Sequence, residues 1–169
     1  MKSVKIINRG YIKPMRIEKV ISAKKGLLVV KDSNGTKFKR SSGTVAWRCN
    51  NPGNLKNGPF SRSMGSIGQD HIGHAVFPTR EHGLQAQFVL LFGEDSRYYN
   101  MTLKDAIRRY APSGDANNEP DKYSRWLSNK TDIDLNTKLK TLSQEKRVAL
   151  LESMHIYEGY KEGKDTKVK

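Results

Sequence analysis

Leu27-Leu28-Val29-Val30-Lys31-Asp32-Ser33-Asn34-Gly35-Thr36-Lys37-Phe38-Lys39-Arg40 reads as a β-hairpin. An apolar β-branched run leads into Asn34-Gly35, a pair that readily takes the positive φ of a tight hairpin turn. The alternation of residues 36–40 then gives a return strand with one buried and one solvated face. Working outward, Val4-Lys5-Ile6-Ile7 and Lys19-Val20-Ile21-Ser22-Ala23 extend the β character toward the amino terminus, and Ser41-Ser42-Gly43-Thr44 reads as a linker. Residues 46–76 are rich in Gly and Asn, which predicts loops and short strands. Helical spacing begins at about residue 79, where Thr79 can cap a helix through Leu84, Phe88, Leu91 and Phe92. Thr102-Leu103-Lys104-Asp105 has the form of a capping box, with Asp in place of Glu or Gln, and opens a helix ending near Tyr110-Ala111-Pro112. A third helix is predicted over 121–128. A fourth starts at a second capping box, Thr141-Leu142-Ser143-Gln144, carries Val148, Leu151, Met154 and Ile156, and closes near Glu158-Gly159. The charged tail 161–169 is expected to fray. Strands followed by helices predict an α+β fold, with a basic β-rich extension over 1–43 and a mainly helical domain over 44–169.

The charge is concentrated in the β part. The chain has 31 Lys and Arg against 17 Asp and Glu, a net +14. Residues 1–45 hold twelve of the basic side chains and only Glu18 and Asp32, so +10 of the total lies there. Such an arm suits a polyanionic partner: nucleic acid, anionic lipid or an anionic wall polymer. A merely solubilised β surface would look the same. The longest apolar run, Phe88–Phe92, is far below the roughly 20 residues of a membrane span, and no amino-terminal signal pattern is visible. The single Cys49 excludes an internal disulfide and a paired-cysteine zinc site.

Three constellations could carry chemistry. In Trp47-Arg48-Cys49-Asn50-Asn51-Pro52-Gly53-Asn54-Leu55, amides either brace a folded loop or face a ligand such as a sugar; bracing is the expectation for at least two of the three Asn. In residues 65–83, Asp70 and Glu81 flank the apolar Ala75-Val76-Phe77. Paired carboxylates in different environments equip a site for glycoside cleavage, although the helix dipole alone accounts for an acid at position 81. His71, His74 and His82 have no acidic or thiol partner at a familiar ligand spacing, so no metal is expected. In Met154-His155-Ile156-Tyr157-Glu158-Gly159-Tyr160, a glutamate closes a helix, where the dipole opposes its charge and favours the protonated form of a general acid. The alternative is an exposed glutamate in a terminal turn.

In order along the chain, these segments resemble a family of bacteriophage and type VI secretion peptidoglycan hydrolases with a lysozyme-like or lytic-transglycosylase-like domain. The family's Arg-Asn-Asn-Asn-Pro-Gly-Asn-Ile/Leu signature corresponds to Arg48–Leu55, with Cys49 in place of an Asn. Gly68-Gln69-Asp70, His74-Ala75-Val76-Phe77 and Arg80-Glu81-His82-Gly83 follow in register, Arg80 standing where Pro is common. Ile107-Arg108-Arg109-Tyr110-Ala111-Pro112 matches a further segment, with Ser113 for a second Pro and Asn117, Asn118 and Tyr123 behind it. Glu158-Gly159 matches the closing helix. The resemblance covers about residues 44–160.

It implies cleavage of the β-1,4 bond between N-acetylmuramic acid and N-acetylglucosamine by general-acid catalysis, with no cofactor. Attack by water gives lysozyme products; attack by the muramoyl 6-hydroxyl gives lytic-transglycosylase products. By this resemblance Glu81 is the first choice for the acid and Glu158 the second, with Asp70 as orienting or second carboxylate. Arg48, Asn51, Asn54, Asn118 and Tyr123 are the saccharide-contact candidates. The implied partner is the peptidoglycan glycan strand. The chain would be made in the cytoplasm and act in the periplasm or wall of a target bacterium, delivered by a virion, a secretion apparatus or lysis. An interbacterial toxin of this kind would imply a cognate immunity protein. Two rival classes differ in kind: a nucleic-acid binder, against which the basic arm's few aromatics (Tyr11, Phe38) argue, and a non-catalytic wall-binding module of a phage tail or secretion spike.

Overall fold

The computed structural model describes residues 13, 14 and 16–169, so the strand expected over Val4–Ile7 lies outside the described residues. The chain is mixed α and β and divides into two compact units, residues 1–83 with 161–169, and residues 84–160. The boundary expected between residues 43 and 44 therefore falls inside the first unit.

The first unit is built on an antiparallel sheet of β1 (Ile17–Lys24), β2 (Leu27–Asp32), β3 (Lys37–Ser41) and β6 (Lys164–Lys167), in that order across the sheet. The hairpin forms, with Gly35 alone of the Asn34-Gly35 pair at positive φ. Gly35 has φ +78°, and Asp32 Oδ1 accepts from the N–H groups of Asn34 and Thr36 at 2.9 and 3.0 Å. Ile17, Leu28, Val30 and Phe38 point inward and share one core with Cys49 and Val76. The β strands are thus half of a core completed by the loop region, not a separate extension.

The tail is a correction. Lys164–Lys167 pairs with β3 through the register Phe38↔Lys167, Lys39↔Thr166 and Arg40↔Asp165. Arg40, only 2% exposed, donates from Nε to Asp165 at 2.9 Å and from one terminal nitrogen to Arg48 O and Asn50 Oδ1. Its guanidinium lies 4.3 Å from the Trp47 ring centre. The region between the sheet and residue 79 contains two short helices, α1 (Val45–Arg48) and α2 (Pro59–Ser63), and a two-stranded ladder of β4 (Gly68–Gln69) and β5 (Ala75–Val76). Thr44, expected in a linker, caps α1 by accepting from Trp47 N.

Gly83 has a close-approach role. A Cβ there would run into the carbonyl oxygen of Asn50. Gly83→Ala is expected to cost about 1–3 kcal/mol by overpacking, read as a lower urea midpoint.

The second unit is helical. Helix α3 (Arg80–Phe92), whose first turn counts with the first unit, leads to α4 (Leu103–Tyr110), α5 (Pro120–Thr131) and α6 (Gln144–Tyr157). Leu91, Leu103, Ile107, Leu127, Leu150 and Met154 are buried at its centre. Thr102 caps α4 by accepting from Asp105 N at 3.2 Å. The second capping box does not form. Thr141 closes a 3-10 turn (Leu139–Thr141) and donates to Lys138 O, and Ser143 caps α6 instead. No helix among the described residues is long and apolar enough to cross a membrane.

Candidate active site

In the first unit most of the expected site residues hold the backbone. Asn51 is fully buried; its amide donates to Leu55 O and Ala75 O and accepts from Leu55 N. Asn50 donates to Phe77 O and Pro78 O and accepts from Arg40. Both are loop braces, as expected for two of the three Asn. Asn54 adopts φ +52°, a conformation Asn tolerates better than most residues, and its N–H bonds Asn51 O at 3.0 Å. Arg48 donates to Ser42 O and Gly43 O at 3.0 and 2.9 Å, closing the turn that precedes α1. Cys49 is buried, and burial, then the nearby Asp70 charge, pushes its thiol up to about 12. It is a core group.

Asp70 is likewise committed. Oδ1 accepts from Ile72 N and His74 N at 3.0 and 2.8 Å, and Oδ2 lies 3.0 Å from His74 Nδ1. Burial raises this carboxyl, but the His74 N–H, the His74 ring and the Ile72 N–H outweigh burial and hold it below its ordinary value. Its contribution to stability is complete above the ordinary value of 3.8 and is lost as pH falls through the lower folded value. Asp70→Asn is therefore expected to cost about 1–3 kcal/mol at pH 7 and progressively less as the pH falls below 3.8, compared by urea melts across that range.

Glu81 is exposed in the first turn of α3. Its own main-chain N–H, then the Thr79 hydroxyl, Lys13 and Arg80, hold the carboxyl below the ordinary range against a small effect of burial. It lines a cavity of about 90 Å³ with Lys13, Arg40 and Arg80. Such surroundings keep Glu81 ionised. A proton donor at neutral pH needs the opposite. His82 is turned to the Thr79 hydroxyl at 2.7 Å, and the described residues contain no cluster of three metal-ligating side chains.

The second unit brings two expected residues together. Glu158 is half-buried at the carboxyl end of α6 and accepts from the Tyr123 hydroxyl at 3.2 Å. The Tyr123 ring stacks on Tyr157 at 4.1 Å between centres, and Trp126 tilts against Tyr157 at 5.3 Å. Burial first, then the charge of Glu158, raises both the Tyr123 and the Tyr110 hydroxyls far above ordinary tyrosine values. Neither phenol ionises, so both keep their protons. The Tyr110 hydroxyl accepts from Gln87 Nε2 at 3.2 Å, and Gln87 Oε1 lies 2.7 Å from His155 Nε2. An amide oxygen only accepts, so His155 carries its proton on Nε2. Asn118 sits apart in the loop after α4, bonding Pro112 O at 3.4 Å.

Gln87, His155 and Tyr110 were not candidates in the sequence. Gln87 gave a signal: it is a polar residue within the stripe of Leu84, Phe88 and Leu91, and it is fully buried. Together the group offers a half-buried carboxyl at a helix carboxyl end, a hydroxyl fixed on one of its oxygens, and aromatic rings beside it. That is equipment for donating a proton.

No protein-family model matches the chain, and a search of curated proteins finds no match.

Proposed function

We propose that the protein is a lysozyme-like glycosidase that cleaves the β-1,4 bond between N-acetylmuramic acid and N-acetylglucosamine in peptidoglycan, with Glu158 as its general acid. The resemblance over residues 44–160 supplies the substrate class. The observation that carries the reading is the half-buried place of Glu158 at the carboxyl end of α6, with the Tyr123 hydroxyl there to hold the carboxylate once its proton has left.

Glu158 closes α6, where the helix dipole opposes a negative charge. Tyr123 donates to Oε1, and on this reading the Glu158 carboxyl carries the acidic proton. Protonation of the glycosidic oxygen breaks its bond to the anomeric carbon as an oxocarbenium-like centre develops. The Tyr123 hydrogen bond then strengthens on the carboxylate that remains. Trp126 and Tyr157 present aromatic faces of the kind that stack on sugar rings. Water, or the muramoyl 6-hydroxyl, bonds to the oxocarbenium-like centre and gives up its proton to the Glu158 carboxylate, which restores the acid. On this reading the enzyme acts in the periplasm or wall of a target bacterium, carried there by a virion or a secretion apparatus. The test is loss of turbidity of purified sacculi incubated with the full chain at neutral pH. Clearing supports a wall hydrolase, and unchanged turbidity with folded protein opposes it.

A further inference from the structure

The solvent face of the four-stranded sheet is a lysine surface. Register and burial assign its two sides. Val20, Val30 and Phe38 form one inward row, and Ala23, Leu28, Arg40 and Asp165 the next. On the opposite side Lys19, Lys31 and Lys37 lie directly abreast on three neighbouring strands. The next row across sets Ser22 and Val29 beside Lys39 and Thr166. The row after that runs from Lys24 through Leu27 and Ser41 to Lys164.

No carboxylate stands in these lysine rows. Asp32 and Asp165 are buried, and the one exposed carboxylate of these strands, Glu18 beside Lys19 at a register shift, makes no ion pair with the lysines of that face. Among the described residues no carboxylate pairs with Lys19, Lys31, Lys37 or Lys39. Neighbouring strands are about 5 Å apart, and like charges directly opposite one another destabilise a sheet. Three ammonium groups abreast repel one another, and nothing else in their row relieves that repulsion. A bound polyanion would.

The face also says which polyanion. Its cations are lysines, point charges without the planar fork by which Arg grips a base edge. It has no aromatic ring on which a base could stack. Ile21, 42% exposed at a β1 register shift, with the partly buried Leu27 and Val29, is too little apolar surface to seat the sheet in a bilayer. Ser22, Ser41 and Thr166 instead place hydroxyls among the ammonium groups, a mixture that suits phosphates spaced by polyol hydroxyls. We propose that this face binds a flexible poly(polyol phosphate) chain of the kind borne by a cell wall, an inference that rests on the wall reading for the polymer's source.

The test is titration of the full chain with poly(glycerol phosphate), at several salt concentrations, by calorimetry. Lys19→Gln/Lys31→Gln/Lys37→Gln/Lys39→Gln is expected to bind at least about tenfold more weakly at low salt and to lower the slope of log K against log salt by about three. The matching four Lys→Arg changes, which keep the charge, should bind within about twofold of wild type by the same electrostatic reasoning. Equal binding by wild type and the Gln variant would overturn the proposal. So would tighter binding to duplex DNA, to a single-stranded homopolymer or to phosphatidylglycerol vesicles than to poly(glycerol phosphate). The titration involves no glycan cleavage. Lysine-dependent binding without sacculus clearing would therefore fail only the glycosidase reading, and clearing with lysine-independent binding would fail only this one.

Discussion

Replacing Glu158 by Gln is expected to lower glycan cleavage by about 10²–10⁴-fold, the usual contribution of a positioned general acid, while leaving the melting temperature close to that of wild type. Gln preserves the shape and can still accept the Tyr123 hydrogen bond, but it holds no transferable proton. Tyr123→Phe keeps the ring stacked on Tyr157 and removes only the hydroxyl that reaches Glu158 at 3.2 Å. Its expected loss is smaller, about tenfold, corresponding to one hydrogen bond of roughly 1.4 kcal/mol. Glu81→Gln separates the two glutamates. Glu81 is exposed and held ionised by its own helix turn and by Thr79, so its replacement is expected to leave cleavage within about tenfold of wild type, short of the loss from removing a general acid. Initial rates on purified sacculi, with circular dichroism as the check on folding, measure all three. A full loss in the Glu81 variant with activity kept in the Glu158 variant would reverse the assignment.

The largest expected effect on stability is at Arg40. Arg40→Met leaves Asp165 buried without its cation and strips a donor from Asn50 Oδ1 and Arg48 O. Removing one partner of a buried pair costs about 3–5 kcal/mol. Asp165 already has a raised carboxyl value, because burial acts on it more strongly than Arg40 does, so an ionised Asp165 without Arg40 is the strained species. Arg40→Met/Asp165→Leu removes both charges and is expected to recover most of the loss. Urea unfolding followed by Trp fluorescence in a Trp126→Phe background reports on the first unit, since Trp47 lies against the Arg40 guanidinium. A single-variant cost below about 1 kcal/mol, the range of an exposed pair, would show that Arg40 and Asp165 do not hold β6 in place.

These two sites differ in how far local sequence reveals them. The hairpin at Asp32–Gly35 is legible because its turn chemistry is entirely local, as are the caps at Thr79 and Thr102. Lys164–Lys167 shows no apolar alternation. It becomes a strand through main-chain pairing with β3 and through Arg40, 125 residues away in the chain. Helices α1 and α2 are too short to show a period. At the start of α6, Thr141 and Ser143 are both eligible caps, and only the 3-10 turn that uses the Thr141 hydroxyl decides between them. The site divides in the same way. Glu158 is visible from its place at the end of a helical period, and the bracing of Asn50 and Asn51 from their Pro-Gly neighbours. The line from His155 through Gln87 to Tyr110 joins α6, α3 and α4, which no local pattern encodes. Asp70 looks like a second catalytic carboxylate until its oxygens are seen to be taken by Ile72 and His74.

The most direct measurement is mass spectrometry of the soluble products after purified peptidoglycan is incubated with wild type and with folded Glu158→Gln protein. Disaccharide-peptide muropeptides released by wild type and absent with the variant are the predicted result. Reducing muramic ends would assign attack by water, and 1,6-anhydro ends attack by the muramoyl 6-hydroxyl. Equal muropeptide release by both proteins would contradict the role of Glu158, and no release by folded wild type would contradict the glycosidase itself.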